Sequence, residues 1–385
     1  MLSPSPRLAL FCIALALALT ACRDGPPQPV EAPRPFVLRA LDLNQRHPDG
    51  TKDWDLKSPE ARYDLNSRTV RARQPSGVLY RDNKPAYRIR ADLAVVLDDG
   101  ALVVLEGGVR LQQLNQRKVL ITGDRLVWTP SNSKMVIDQR PGAVDRDSSL
   151  MVNHLTFHQD KDKLVFRGPT QLKRWLKERK PDLPPQTVVR SGDGSWNLED
   201  GRLVASGPVQ ADQDDGQVVT ASRIAGNTRN GYIDLFAPVR MTLSEGKGQI
   251  SAGTTRWNYV KQQLKSDSPF EAALKKGRAT GTGFVVNQLN SNVIVPEDCF
   301  IEQPGEQLKA RRCSWNWSND QVIADGDVTL RRDAFNQTTQ AGRLEGRIGE
   351  NGALSFGTPG QRVQSRIKLE ENSTGEKRDQ PRVSF

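Results

Sequence analysis

An internal repeat of about 30 residues is the feature that most constrains the fold of this chain. A short phrase of small, acidic or proline residues followed by an apolar residue recurs along its second half, with apolar anchors at Val209, Val239, Phe270, Cys299 and Val328. The steps between these anchors are 30, 31, 29 and 29 residues. A period of this length is typical of stacked units that bury a continuous core only against their neighbours. We therefore expect an array.

Each unit reads as two β-strands and two turns. Turn dipeptides such as Asp99-Gly100, Asn230-Gly231 and Asp325-Gly326 separate alternating apolar segments, which is the strongest short-range signal for a hairpin. A second apolar segment in several units ends near a tryptophan, at Trp128, Trp257 or Trp315. The sequence therefore predicts an all-β protein built from repeats of about 30 residues.

The anchor strands alternate apolar and polar residues, as in Val239, Arg240 and Met241. Side chains along a strand point to opposite faces, so each strand is expected to present one apolar face, and the stacked strands an apolar interior. The predicted lining of this interior groove is Val109, Leu111, Val209, Val239, Met241, Leu243, Phe270, Val328 and Leu330.

The N-terminus has the pattern of an export signal. The apolar run Leu8 to Leu19 suits a signal peptide and is short for a membrane-spanning helix. Leu19-Thr20-Ala21-Cys22 resembles a lipobox, so residues 1–21 are expected to be removed and Cys22 to carry lipid. A chance apolar stretch that ends in cysteine, or an uncleaved anchor, are the alternatives. With lipidation, the protein lies outside the cytoplasm on a membrane surface.

Two further cysteines, Cys299 and Cys313, remain in the body of the protein. They flank the turn signal Pro304-Gly305, and their midpoint is Glu306, so a tight hairpin would place them roughly opposite each other. An oxidising compartment permits a disulfide between them. Two unrelated buried thiols are the alternative.

Proline-rich segments suggest the domain boundaries. Residues 22–35 are expected to form a stiff tether. The segment 180–187 interrupts the period and predicts a linker between a first roll, 36–179, and a second roll, 188–369. The polar and charged end, 370–385, is expected to be disordered.

The N-terminal half resembles a known family. Trp54 to Asp64, Tyr87 to Val95, Val103 to Leu111, Val119 to Trp128 and Met135 to Asp138 occur in an order similar to that of the LptC, LptA and OstA-like group of lipopolysaccharide export. The LptC branch fits best because the segment that begins at Trp54 precedes the core in the same order. The chain is longer than is usual for that branch, and a lipobox stands where a membrane helix is common.

This resemblance implies a twisted, open β-jelly roll, here two consecutive rolls, that holds glycolipid acyl chains between its sheets. It implies a periplasmic, membrane-anchored part of the lipopolysaccharide bridge, with the inner membrane as the more natural anchor site. The implied partners are lipopolysaccharide or a similar glycolipid, the permeases of an inner-membrane ABC transporter and other jelly-roll subunits of the bridge.

Other function classes find less support in the sequence. Three histidines and no phosphate-binding glycine loop give no basis for a metal or a cofactor, and no constellation of catalytic residues is present, so we expect a protein that is not an enzyme. The formal charge of +10 indicates anionic partners, but we expect no nucleic acid among them. A non-catalytic envelope scaffold, a β-repeat lipoprotein without lipid transfer, is the alternative function.

Overall fold

The structure is a computed structural model that describes residues 36–180, 182–246, 248–275, 277–347, 353–357 and 363–367. The predicted signal peptide, the lipidation site Cys22, the tether 22–35 and the tail 370–385 lie outside the described residues.

The described part consists of 34 antiparallel strands and five short 3₁₀ turns, and it contains no α-helix. The strands of the first half are β1 (Phe36–Leu38), β2 (Leu41–Arg46), β3 (Lys52–Ser58), β4 (Glu60–Asp64), β5 (Thr69–Arg73), β6 (Ser76–Arg81), β7 (Lys84–Arg90), β8 (Leu93–Leu97), β9 (Leu102–Gln113), β10 (Leu120–Thr129), β11 (Lys134–Gln139), β12 (Gly142–Val144), β13 (Ser148–Met151), β14 (His154–His158), β15 (Lys163–Arg167), β16 (Thr170–Arg174) and β17 (Thr187–Ser191). Those of the second half are β18 (Gly194–Asn197), β19 (Arg202–Gln213), β20 (Val218–Asn227), β21 (Tyr232–Leu235), β22 (Val239–Thr242), β23 (Gly248–Ala252), β24 (Thr255–Asn258), β25 (Gln263–Leu274), β26 (Gly277–Asn287), β27 (Asn292–Val295), β28 (Glu297–Gln303), β29 (Glu306–Ala310), β30 (Arg312–Asn316), β31 (Gln321–Arg332), β32 (Gln337–Arg347), β33 (Leu354–Gly357) and β34 (Gln364–Ile367). The 3₁₀ turns are Asp98–Gly100, Pro130–Asn132, Gln159–Lys161, Ser244–Gly246 and Asp333–Phe335.

All strands belong to one hydrogen-bonded network. Bends in its long strands divide this network into two sheets that face each other. The first sheet contains, in spatial order, β2, β3, β6, β7, β9, β10, β12, β13, β16, β17, β19, β20, β22, β23, β25, β26, β28, β29, β31, β32 and β34. The second contains β1, β4, β5, β8, β9, β10, β11, β14, β15, β18, β19, β20, β21, β24, β25, β26, β27, β30, β31, β32 and β33. Spatial order equals chain order in both sheets, and eight long strands pass through both.

We call the line of bends, where the two sheets meet, the spine, and the opposite side, where the hairpin turns lie, the mouth. The recurrent phrase of the sequence lies at the spine. At Glu106-Gly107-Gly108-Val109 the register of β9 and β10 shifts, and Gly107 has φ +74°, a conformation that favours glycine. A Cβ at Gly207, in the equivalent bend of β19, would lie 1.6 Å from the carbonyl oxygen of Ser222, so only glycine fits there.

This geometry explains the period of the sequence. One passage of the chain through both sheets takes about 11 residues at about 3.4 Å per residue, and a turn follows at the mouth. Two antiparallel passages with their turns return the chain to the same sheet position, as from Val209 in β19 to Val239 in β22. The predicted two-strand repeat and the all-β jelly-roll class are therefore confirmed.

Buried apolar residues form two clusters. The larger cluster extends from Leu41 to Val239, and the smaller one extends from Val295 to Leu344. The segment 180–187 does not interrupt the larger cluster, because β16 and β17 pair across it. The break between the clusters instead falls at residues 240–294, and the division into two rolls at 180–187 stays a prediction about folding units.

Candidate functional site

A row of inward-facing residues crosses the first sheet without interruption. Direct cross-strand partners connect its members in the order Leu56, Gly77, Ile89, Leu111, Ile121, Ala143, Leu150, Leu172, Val189, Ala211, Val219, Met241, Ile250, Ala272, Ala279, Ile301, Leu308 and Leu330. Up to Leu150 these side chains are at most 5% exposed, whereas Met241, Ile250, Ala279 and Ile301 are partly exposed. The alternation therefore continues along the sheet, with partial exposure at these four positions and burial again at Leu308 and Leu330.

A matching row crosses the second sheet. Its members are Val96, Val103, Trp128, Met135, Phe157, Leu164, Trp196, Leu203, Gly226, Ile233, Trp257, Leu264, Val286, Val293, Trp315 and Val322. Met135, Phe157 and Leu164 are fully buried. Trp257, Val286, Val293 and Trp315 are partly exposed, so both sheets change in the same direction.

The predicted groove residues separate into two groups. The members that are buried at the spine or in a packed core are Val109, Leu111, Val209, Val239, Val328 and Leu330. Met241, Leu243 and Phe270 keep partial exposure, and all three lie between residues 239 and 275. Whether any of these side chains contacts lipid stays a prediction.

Sequence reasoning placed the groove on the anchor strands and missed the second sheet. Trp257 and Trp315 face inward from that sheet and line the partly exposed interior together with Val286 and Val293. The tryptophan at the end of the second segment of each unit was the available signal.

A polar cluster joins the two sheets across the mouth. Arg81, at the end of β6 in the first sheet, donates hydrogen bonds to both carboxylate oxygens of Asp162, with 2.9 Å between Nη2 and Oδ1. Asp162 lies in the turn after β14 in the second sheet. Arg81 also donates to the carbonyl oxygen of Gln159, and the Tyr87 hydroxyl donates to Asp162. We call Arg81, Tyr87, Gln159 and Asp162 the latch.

The carboxylate at the centre of the latch is largely shielded from solvent. The side chain of Asp162 is 7% exposed, and that of Arg81 is 32% exposed. Burial raises the pKa of Tyr87 far above its ordinary value, and the neighbouring Asp162 carboxylate raises it further. The hydroxyl therefore stays protonated and remains a donor. A buried carboxylate with two charged or polar donors is stable as long as both partners are present.

Four further contacts cross the mouth between the two sheets. The rings of Trp54 and Trp128 pack edge to face with centroids 5.4 Å apart. The guanidinium of Arg117 lies 5.2 Å from the ring centroid of Trp196 and donates to the Thr228 hydroxyl over 3.3 Å.

The last of these contacts is the one between Arg174 and Tyr259. The guanidinium of Arg174, in β16 of the first sheet, lies 3.9 Å from the ring centroid of Tyr259, in a turn of the second sheet. Beyond Tyr259, the described side chains on the mouth form no hydrogen bond, ion pair or ring contact between the two sheets. We call residues 52–174 the closed segment and residues 239–316 the open segment.

In the open segment the two sheets are joined at the spine. Phe270 and Phe284 pack edge to face with centroids 5.5 Å apart. Cys299 and Cys313 form a disulfide with 5.9 Å between their Cα atoms. Cys299 is in β28 of the first sheet and Cys313 is in β30 of the second, so this covalent bond connects the sheets.

The predicted disulfide is present, and so is the predicted hairpin. The hairpin itself places Cys299 opposite Ala310, three residues before Cys313. The chain then bends at the spine before Arg312, and this bend carries Cys313 into the other sheet. The cysteines meet because the sheets converge at the spine.

The described residues lack two other features, a cluster of metal ligands and a membrane-spanning helix. No group of three or more histidine, cysteine, aspartate or glutamate side chains within them could hold a metal ion. His154 and His158 lie at opposite ends of the strand β14. None of the described helical turns has the length and hydrophobicity that crossing a membrane requires.

Two facing antiparallel sheets with an apolar interior define a β-jelly roll. A family model described as LptC, lipopolysaccharide-assembly, LptC-related, matches residues 7–140, about a third of the chain. The predicted resemblance to this family, whose description is lipopolysaccharide assembly, is confirmed over these residues. No curated protein matches the chain.

Proposed function

We propose that this protein is a periplasmic, membrane-anchored section of the lipopolysaccharide bridge, which binds glycolipid acyl chains between its sheets and passes them toward the outer membrane. The continuity of the two inward rows carries this proposal. An apolar path that runs in chain order through both sheets could receive an acyl chain at one end and release it at the other. The role is one of binding and transfer, without catalysis.

Burial of apolar surface supplies the driving force for such binding. Acyl chains gain about 25 cal/mol per Å² when they leave water. Inward side chains on the two sheets provide apolar contact on both sides of a chain, while the charged headgroup stays at the mouth, where polar residues and water are available.

We also propose how the protein is anchored and which partners its two ends contact. Lipid on Cys22 would hold the protein to a membrane, with the inner membrane as our expectation, and residues 22–35 would separate the body from that surface. Within the described residues, the first strands β1 and β2 each pair with one neighbouring strand, and a free strand edge can add a strand from a partner. We propose that these edges face the permeases of the transporter and that the C-terminal strands face the next jelly-roll subunit.

Mass spectrometry of lipid extracted from the purified full-length protein tests the binding proposal directly. We expect lipopolysaccharide or its precursor in amounts comparable to the protein, against background for a β-protein of similar charge prepared in the same way. Background lipid alone would contradict lipid transfer and favour the alternative of an envelope scaffold.

A Cys22→Ser variant tests the anchor. We expect an unprocessed precursor, because a serine hydroxyl cannot form the thioether to the diacylglycerol. Normal processing to a mature form that leaves the membrane fraction would contradict lipidation, and it would leave the proposal on acyl-chain binding intact.

A further inference from the structure

We infer that the acyl chains rest in the open segment, residues 239–316, and that the closed segment admits them in transit only when the latch opens. This inference deepens the proposed function and rests on it. It assigns the binding site to a part of the chain that lies outside the family match.

Residues of the same type differ between the two segments. Met135 is 0% exposed in the closed segment, whereas Met241 in the open segment is partly exposed. Trp128 is 2% exposed, and Trp257, which ends the corresponding segment of a later unit, is partly exposed. Each side chain faces inward, so the difference reports how far the space between the sheets is already filled.

The placement of small inward residues explains this difference. In the inward row of the closed segment, Gly77 and Ala143 each lie between two larger apolar residues. In the open segment the two alanines Ala272 and Ala279 are direct cross-strand partners, so the small side chains adjoin each other. Small side chains leave room between two sheets that the spine holds at a fixed separation.

Exposed apolar side chains also extend from the interior to the mouth. Three turns of the second sheet, which follow β24, β26 and β30, carry Val260, Leu289 and Trp317, exposed by 70%, 66% and 38%. Single exposed apolar residues are ordinary, but a series on turns that border an apolar interior marks a binding surface. Lys261, next to Val260, is exposed and has no ion pair among the described residues, so a cation is available for an anionic headgroup.

These features fit long acyl chains with an anionic headgroup better than a protein segment. Inward-facing open positions are apolar in both sheets, and a bound peptide would need partners for its backbone amides and carbonyls. An acyl chain needs none. In the closed segment, an acyl chain would have to displace fully buried side chains and break the latch, which leaves the Asp162 carboxylate unpaired.

The native methionines allow the proposed lipid site to be tested without introducing a substitution at a new position. The sequence has four, Met1, Met135, Met151 and Met241. Met151 is 56% exposed on the outer face of β13, so the described methionines report the closed interior, the outer face and the open interior. Replacement of all methionines by the diazirine analogue of methionine preserves shape, and irradiation with lipopolysaccharide then labels whatever each position contacts.

We expect lipopolysaccharide adducts on the Met241 peptide to exceed those on the Met135 and Met151 peptides by at least about tenfold. Equal adducts at Met135 and Met241 would overturn the restriction to the open segment and leave the proposed function standing. Equal adducts at Met151 and Met241 would indicate surface adsorption. Intramolecular crosslinks from Met135 show that the diazirine was activated. If they form and no position carries a lipid adduct, the proposed function itself is overturned.

A matched pair of variants tests the same site by filling it. Ala279→Leu adds apolar volume to the open interior, and Thr280→Leu adds the same residue on the outer face of the same strand. We expect the first to reduce adducts at Met241 severalfold and the second to leave them unchanged. A parallel reaction with phosphatidylglycerol vesicles distinguishes glycolipid from phospholipid. An equal yield with those vesicles, or no effect of Ala279→Leu, would contradict the assignment.

Discussion

The closed and open segments have the same strand pattern and differ in what holds their sheets together. In the closed segment, large inward side chains fill the interior, and contacts such as Arg81 with Asp162 and Trp54 with Trp128 cross the mouth. In the described part of the open segment beyond Tyr259, the Phe270–Phe284 contact and the disulfide join the sheets at the spine, and no hydrogen bond, ion pair or ring contact crosses the mouth. The comparison teaches that an alternating strand pattern produces a core or a groove according to side-chain volume and contacts at the mouth.

The comparison also separates the part of the chain that matches the family from the part that we assign to lipid. Residues 7–140 contain most of the closed segment, and the open segment lies entirely beyond them. A continuous pair of sheets joins the two parts. The additional length of the chain therefore extends the same interior rather than adding an unrelated domain.

Substitution of a buried phenylalanine by alanine should give the largest difference in stability loss between the closed and the open segment. Phe166 is 1% exposed in the closed segment, and Phe166→Ala should lower the free energy of unfolding by about 3 to 5 kcal/mol because it leaves a cavity. Phe270 is partly exposed, so Phe270→Ala should cost less, about 1 to 2 kcal/mol. Urea unfolding with hydrogen exchange measures both, and equal losses would show that the two interiors are packed alike.

Removal of the disulfide should affect only the open end of the molecule. Cys299→Ala with Cys313→Ala opens a loop with a sequence separation of 14 residues and should cost about 3 kcal/mol. We expect faster hydrogen exchange in peptides from 295–344, which form the second buried cluster. Peptides from 100–170 serve as the internal control, and faster exchange there would contradict independent segments.

Loss of the arginine of the latch should loosen the closed segment. Arg81→Met leaves the buried Asp162 with Tyr87 as its remaining side-chain partner and should cost about 2 kcal/mol, less than a fully buried pair because Arg81 is 32% exposed. The matched control is Arg256→Met, which removes an exposed bidentate pair with Asp234 and should cost less than about 1 kcal/mol. Lipid adducts that appear at Met135 in Arg81→Met would show that the latch excludes lipid.

The tyrosine of the latch should have a smaller, pH-dependent effect. Tyr87→Phe removes one hydrogen bond to Asp162 and should cost about 1 kcal/mol near pH 7. Because the folded state raises the pKa of Tyr87, the unfolded chain loses this proton first, and the stability of the unchanged protein falls as pH rises through about 10. The difference from the phenylalanine variant should therefore shrink above that pH.

Tyr63→Phe is the control for this pH dependence, since the Tyr63 hydroxyl has no hydrogen-bond partner among the described residues. Unfolding curves at pH 7 and above pH 10 are compared for the three proteins. A stability difference between Tyr87→Phe and the unchanged protein that stays constant over this range would contradict the contribution of the raised pKa.

The sequence by itself determined the class, the period and the face of most residues. Alternation along a strand depends only on neighbours two positions apart, so Val239, Arg240 and Met241 could be assigned to faces directly. Glycine and proline at the spine were visible as a recurrent phrase, because a bend needs them locally. The predicted signal peptide and lipobox rest on local patterns in the same way.

Only the tertiary structure decided which part of the interior is closed. Arg81 and Asp162 are 81 residues apart and meet because facing sheets bring together turns that share no local signal. The bend at the spine places Cys313 in the second sheet, whereas Cys299 lies in the first. The spacing of the two cysteines in the sequence could not reveal this bend. Volume between two sheets depends on side chains from both, so the sequence of either strand contains only half of the information that separates a groove from a core.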